Sequence, residues 1–107
     1  MSETLSAVQR LIAAGEVRIS EHGYDELAED RISVREILCG AGNARVVEDY
    51  PTFPKGPAVL VLQSDDSGQP IHVVWGIPQG HSSPAVLVTA YRPDPRLWKD
   101  DFLGRRT

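Results

Sequence analysis

From Ser2 to Gly42 the apolar positions follow a helical period, and from Arg45 onward they follow a period of two. Leu5, Val8, Leu11 and Ile12 mark a first helix over 3–14, with Ser2 as its cap, Glu3 in its first turn and Gly15 as its stop. VRIS at 17–20 alternates, and reads either as a short edge strand or as an extended link. Ser20 caps a second helix over 21–30, with Tyr24, Leu27 and Ala28 on its apolar side and five acids on its solvated surface. Ser33 and Glu36 have the spacing of a capping box and open a third helix over 34–41, with Val34, Ile37 and Leu38 as its buried stripe. Strands are expected over 45–50, 57–63, 70–77 and 85–92, separated by turn segments rich in Pro, Gly, Asp and Ser. The connections are short, so consecutive strands should pair antiparallel. The fold class is therefore α+β, with two or three N-terminal helices packed on a four-stranded antiparallel β-meander. A single domain is expected over 1–107, made of a helical part (1–43), a sheet part (44–92) and a C-terminal tail (93–107).

The last three strands are apolar on both parities, as in Leu60 with Val61, Val73 with Val74 and Leu87 with Val88. A sheet with one wet face should alternate apolar and polar residues, so both faces should be covered. If Ile77 lies opposite Ala85 in simple register, cross-strand partners have numbers summing to 162. His72 then faces Ala90 and shares a side with Val74, Val86 and Val88, expected to lie buried under the helices near His22 and Glu26. The same register groups Ile71, Val73, Trp75, Leu87, Thr89 and Tyr91 on the far side. Three coverings suit that far face: the tail through Trp98 and Phe102, a second copy or another protein, or RNA.

Length and composition narrow the class. The chain has 107 residues, enough to bury a core without staples. Its one cysteine, Cys39, allows no internal disulfide and suits a reducing, cytoplasmic setting; beside Ile37 and Leu38 it reads as a small buried hydrophobe. The N-terminus lacks the apolar core of a signal peptide, and no apolar run approaches the roughly 20 residues of a membrane helix. The net charge is −4. Residues 1–70 hold six basic and twelve acidic side chains, and residues 71–107 hold five basic and three acidic. The global charge argues against a strong non-specific nucleic-acid binder, while the basic C-terminal part suits a phosphate-bearing ligand or an ordinary solvated tail. No P-loop, dinucleotide fingerprint or Cys-His zinc spacing is present, and no cofactor is expected.

SEHGYDELAEDRIS, VVEDY, PIHVVWG and VTAYRPDPRLW, in that order and spacing, resemble the domain of unknown function 4258 family. The matching positions are Ser20 and His22; Arg31, Ile32 and Ser33; His72, Val73 and Val74; and Thr89, Tyr91, Pro93 and Trp98. That family is similar in fold to the RelE and BrnT toxins, small bacterial proteins with helices packed on an antiparallel sheet, some of which cleave messenger RNA without a metal. The resemblance implies a toxin-like protein of a toxin–antitoxin system, a metal-independent endoribonuclease acting on mRNA. The alternative is a non-catalytic protein-interaction module of the same fold. The expected partners are RNA and, through the sheet face, an antitoxin or a second copy, with no membrane. The chain departs from the toxin pattern in being acidic and in carrying no Arg or Lys within IHVVWG or AVLVTAY.

Three constellations are candidates for chemistry. His22, Glu26 and His72 can serve as base, acid and orienter, since imidazole titrates near neutrality and His22 lies one helical turn from Glu26. They can equally form a structural polar bridge between the second helix and the third expected strand, or a facial metal set, on which a spacing of fifty positions carries no information. The resemblance implies a second set, in which Tyr91 moves protons and Arg92, Arg96, Arg105 and Arg106 hold phosphate; otherwise Tyr91 packs on the sheet and the arginines pair with Asp94, Asp100 and Asp101. Trp75 and Tyr91 form the third, sharing a face either to stack a base or to pack in a core.

Overall fold

The fold is described from a computed structural model over residues 2–106. The ends of the expected domain, Met1 and Thr107, lie outside the described residues. Three helices, α1 (Glu3–Ala13), α2 (Glu21–Glu29) and α3 (Val34–Gly40), precede the main sheet. All three begin at the expected caps: Ser2 accepts from the Leu5 N–H, Ser20 from the Gly23 N–H, and Ser33 with Glu36 forms a complete capping box. The strands are β1 (Val17–Ile19), β2 (Arg45–Tyr50), β3 (Ala58–Ser64), β4 (Pro70–Gly76) and β5 (Ala85–Tyr91). A 3-10 turn over Ala41–Asn43 joins α3 to β2.

The mixed α+β class holds, but the sheet has five strands in the order β1-β5-β4-β3-β2. The meander from β2 to β5 is antiparallel as expected, whereas β1 pairs parallel to β5. VRIS is thus an edge strand. It occupies an edge of β5 whose backbone groups would otherwise lack partners: Ala85 N–H donates to the Glu16 carbonyl, and Ser20 N–H to that of Leu87.

The helices cover one face of the sheet. Leu5, Val8, Leu27, Ile32 and Ile37 pack there against Val59, Val61, Ile71, Val73, Trp75, Leu87 and Ala90. Gln63 is a buried polar side chain of that core. Its amide donates to the Ile37 carbonyl at 2.8 Å and accepts from the Trp75 indole N–H at 3.1 Å. The helix α2 sits so close to β5 that a Cβ on Gly23 would lie 2.9 Å from both the Leu87 carbonyl oxygen and its side chain. Gly23 and Leu27 are its buried residues, while the expected apolar members Tyr24 and Ala28 are exposed. Cys39 is also exposed, because α3 turns only Ile37 fully inward. Among the described residues no helix is long and apolar enough to cross a membrane.

The expected face assignment is inverted for β4 and for β5 up to Val88, while Thr89 and Tyr91 lie on the expected far face. Ile71, Val73, Trp75 and Leu87 lie under the helices, and His72 and Val74 point to the opposite side. Both parities are apolar, so period alone could not choose between them; the larger side chains fill the helix-covered core. The expected register holds next to the β4–β5 loop, where Trp75 pairs with Leu87 and Gly76 with Val86. A β-bulge then inserts Val88, and His72 pairs with Tyr91 rather than with Ala90.

Candidate functional site around His72 and Tyr91

The sheet face away from the helices carries Glu48 and Tyr50 from β2, His72 from β4 and Tyr91 from β5. The tail after Pro93 folds across one end of it. Residues 97–106 form a closed loop, with the Arg106 N–H donating to the Leu97 carbonyl and the Lys99 N–H to that of Gly104. At its tip Phe102 takes a left-handed backbone, φ 59°, which is uncommon for a side chain of that size. Its carbonyl oxygen lies 2.8 Å from His72 Nε2. Trp98 packs edge-on against the imidazole at 4.3 Å between centroids, and both rings are buried.

These partners set the His72 tautomer. A carbonyl only accepts, so Nε2 carries the hydrogen. Burial pushes the imidazole pKa below its ordinary value, with Arg105 adding to the effect and the Phe102 carbonyl and Glu48 opposing it. The ring is therefore neutral near pH 7, and Nδ1 presents a lone pair. The Tyr91 hydroxyl lies 3.3 Å from Nδ1 and donates to it. Burial holds the Tyr91 phenol above its usual range, while Arg105 pulls it down.

Arg105 borders the pair. Its guanidinium stacks 4.6 Å from the centroid of Trp98 and donates to both Glu48 carboxylate oxygens at 3.2 Å. Those bonds, followed by one from the Tyr50 hydroxyl, hold Glu48 below the ordinary carboxylate range. A partly buried phenol, a neutral buried imidazole and a partly exposed guanidinium thus meet on one face. Such a set can pass a proton through Tyr91 to His72 while Arg105 faces an anion.

The expected residues divide sharply. His72 and Tyr91 come together. His22 and Glu26 pair with each other at 3.4 Å on exposed α2, on the helix side of the sheet, and do not join His72. Among the described residues no three His, Cys, Asp or Glu side chains gather at metal-binding distance, so the facial set does not form. Trp75 is fully buried under the helices and shares no face with Tyr91, so it offers no stacking surface. Arg92 holds the fold together. It donates to the Asp30 carboxylate and carbonyl, and to Asp65 at 2.9 Å, linking the end of α2 to the β3–β4 turn. Arg96 chelates Asp94, and Arg106 bonds the Pro95 carbonyl and Asp100. Glu48, Tyr50 and the Phe102 carbonyl were not anticipated. The shared parity of Glu48 and Tyr50 on an edge strand was their one sequence signal.

The family model of the domain of unknown function (DUF4258) matches residues 19–92. The chain belongs to this family. The match runs from the last residue of β1 to just past β5 and so includes both His72 and Tyr91, while Trp98, Phe102 and Arg105 lie beyond it. No curated protein and no solved structure gives a significant match.

Proposed function

We propose that this DUF4258 chain is a toxin-like protein of RelE/BrnT-like fold, a metal-independent endoribonuclease of a toxin–antitoxin system in the bacterial cytoplasm, with Tyr91, His72 and Arg105 at its working site. The observation that carries the reading is the Tyr91 hydroxyl donating to His72 Nδ1 beside the Arg105 guanidinium. In the proposed step the ribose 2′-hydroxyl gives its proton to the Tyr91 oxygen as the Tyr91 proton passes to His72. The 2′-oxygen then forms its bond to phosphorus, the bond from phosphorus to the 5′-oxygen breaks, and the leaving oxygen takes a proton from solvent. The products are a 2′,3′-cyclic phosphate and a 5′-hydroxyl, and imidazolium returns its proton to water. Arg105 offsets the charge on the phosphorane, for which it must exchange Glu48 for phosphate.

A second reading, a protein-interaction module without chemistry, is favoured by a different observation. Arg92, Arg96 and Arg106 are all engaged with their own chain, and the tail buries His72 completely. One experiment separates the two. Purified protein is incubated with free and ribosome-bound messenger RNA, the 5′ ends of fragments are mapped, and growth is followed on expression. The ribonuclease reading expects cleavage and growth arrest, both lost in Tyr91→Phe and Arg105→Ala proteins that fold normally. Intact RNA together with normal growth leaves the interaction module.

A further inference from the structure

The tail covers only the His72 end of the sheet face. At the other end a groove of about 490 Å³ remains open, within the roughly 300–1,000 Å³ of small-molecule sites. Its floor is Ala58, Val74, Gly76, Val86 and Val88. Phe53 and Tyr50 form one wall, and both are large aromatics left substantially exposed.

The wall is built rather than loose. The segment carrying Phe53 and Lys55 is zipped to the β4–β5 loop: Ile77 N–H donates to the Pro57 carbonyl and Gln79 N–H to that of Lys55, both at 3.0 Å. Gly56 makes this approach possible. Its φ is +126°, and a Cβ there would fall 2.0 Å from the Ile77 carbonyl oxygen. The groove is thus preformed, which lowers the ordering cost of binding.

Its charge is the informative feature. The chain has fifteen acidic side chains and a net charge of −4, yet among the described residues no carboxylate lines this groove. Two cations do, Arg18 from β1 and Lys55 from the zipped segment, and neither forms an ion pair with a described residue. Almost all the remaining lining is carbon. A nucleotide would need donors and acceptors for its base edge and sugar, and few are present. We infer that the groove is a binding site for a small organic anion with an apolar, aromatic or aliphatic body, its acid group held by Arg18 and Lys55.

The probe is 1-anilinonaphthalene-8-sulfonate, with uncharged N-phenyl-1-naphthylamine as its control, titrated by fluorescence into native protein. The expected result is saturable one-to-one binding of the sulfonate and a rise in Tm with its concentration. The double variant Arg18→Glu/Lys55→Glu should weaken the sulfonate about tenfold, by removing two solvent-exposed attractions and adding two repulsions, and should leave the neutral amine within about twofold. Val88→Asp should weaken both probes. Wild-type Tm values in the probe-free variants establish that they fold. The inference is overturned by non-saturable or absent binding, or by a double variant that affects both probes equally or neither. It is overturned too if the protein sediments as a dimer that Val88→Asp converts to a monomer, since a second copy then fills the groove.

Discussion

His72→Phe tests the central geometry without reference to RNA. The variant keeps a flat ring between Trp98 and Tyr91 but removes both hydrogen bonds, leaving the Phe102 carbonyl without its donor and the Tyr91 hydroxyl without its acceptor. A buried polar group left unpaired costs about 1–3 kcal/mol, and the tail carbonyl can partly rehydrate, so a loss of about 2 kcal/mol is expected near pH 8. For a chain of this size that lowers Tm by roughly 8–16 °C. The pH dependence is more telling. The ordinary imidazole pKa is 6.5, and burial lowers it in the folded state. Above pH 6.5 both states hold His72 neutral and its contribution to stability is complete. Below 6.5 the unfolded chain takes a proton that the folded chain refuses, so wild-type stability falls, by at most about 1.4 kcal/mol per pH unit. The variant has no such group. The stability gap measured by urea unfolding should therefore shrink between pH 7.5 and 5.5, by up to about 1.4 kcal/mol. A gap that stays constant or widens over that range refutes a buried, neutral His72.

Gly56→Ala should lower stability by at least about 2 kcal/mol in thermal unfolding, since a side chain must adopt positive φ and also displace the Ile77 carbonyl. Gln63→Leu strands the Trp75 indole N–H and the Ile37 carbonyl in the core; with each costing about 1–3 kcal/mol, a net loss of about 2–4 kcal/mol is expected in urea titration. Tyr91→Phe, which keeps the ring on the sheet and removes one hydrogen bond, should cost no more than about 1.5 kcal/mol by the same assay.

Local chemistry made the helices legible. Ser2, Ser20 and Ser33 each cap the helix assigned to them, because a capping hydroxyl needs only neighbours three residues away. The switch of period near Arg45 located the four main strands for the same local reason. His72 is buried as expected, but under the tail on the face away from the helices rather than beneath the helices. The pairing of β1 with β5 joins residues some seventy positions apart in parallel, and no turn signal announces it. The partners of His72 were misassigned because the tail supplies two of them: a Trp98 ring that could have packed anywhere, and a Phe102 backbone carbonyl that no side-chain pattern records.

The remaining error, the grouping of Tyr91 with Val73 and Trp75 on one face, traces to single residues with a common consequence. Side chains alternate along a strand, so one inserted residue sends everything beyond it to the opposite face. Without the bulge at Val88, Tyr91 would fall on the helix side with Val73 and Trp75, and the Tyr91–His72 bond could not form. A second bulge in β2, between Val46 and Glu48, has the same effect. Continued simple pairing from Val46 with Val61 would set Glu48 opposite Val59, on the helix side, whereas the bulge sets it opposite Leu60, on the side of His72. Two independent irregularities, on strands separated by β3 and β4, therefore deliver a phenol and a carboxylate to one buried imidazole. The apolar strands would pack without either bulge, since both parities of β3, β4 and β5 are hydrophobic. What the bulges add is a convergence of ionisable side chains, and that sets the His72 face apart from the helix-covered face, where the polar contact described is the neutral amide of Gln63.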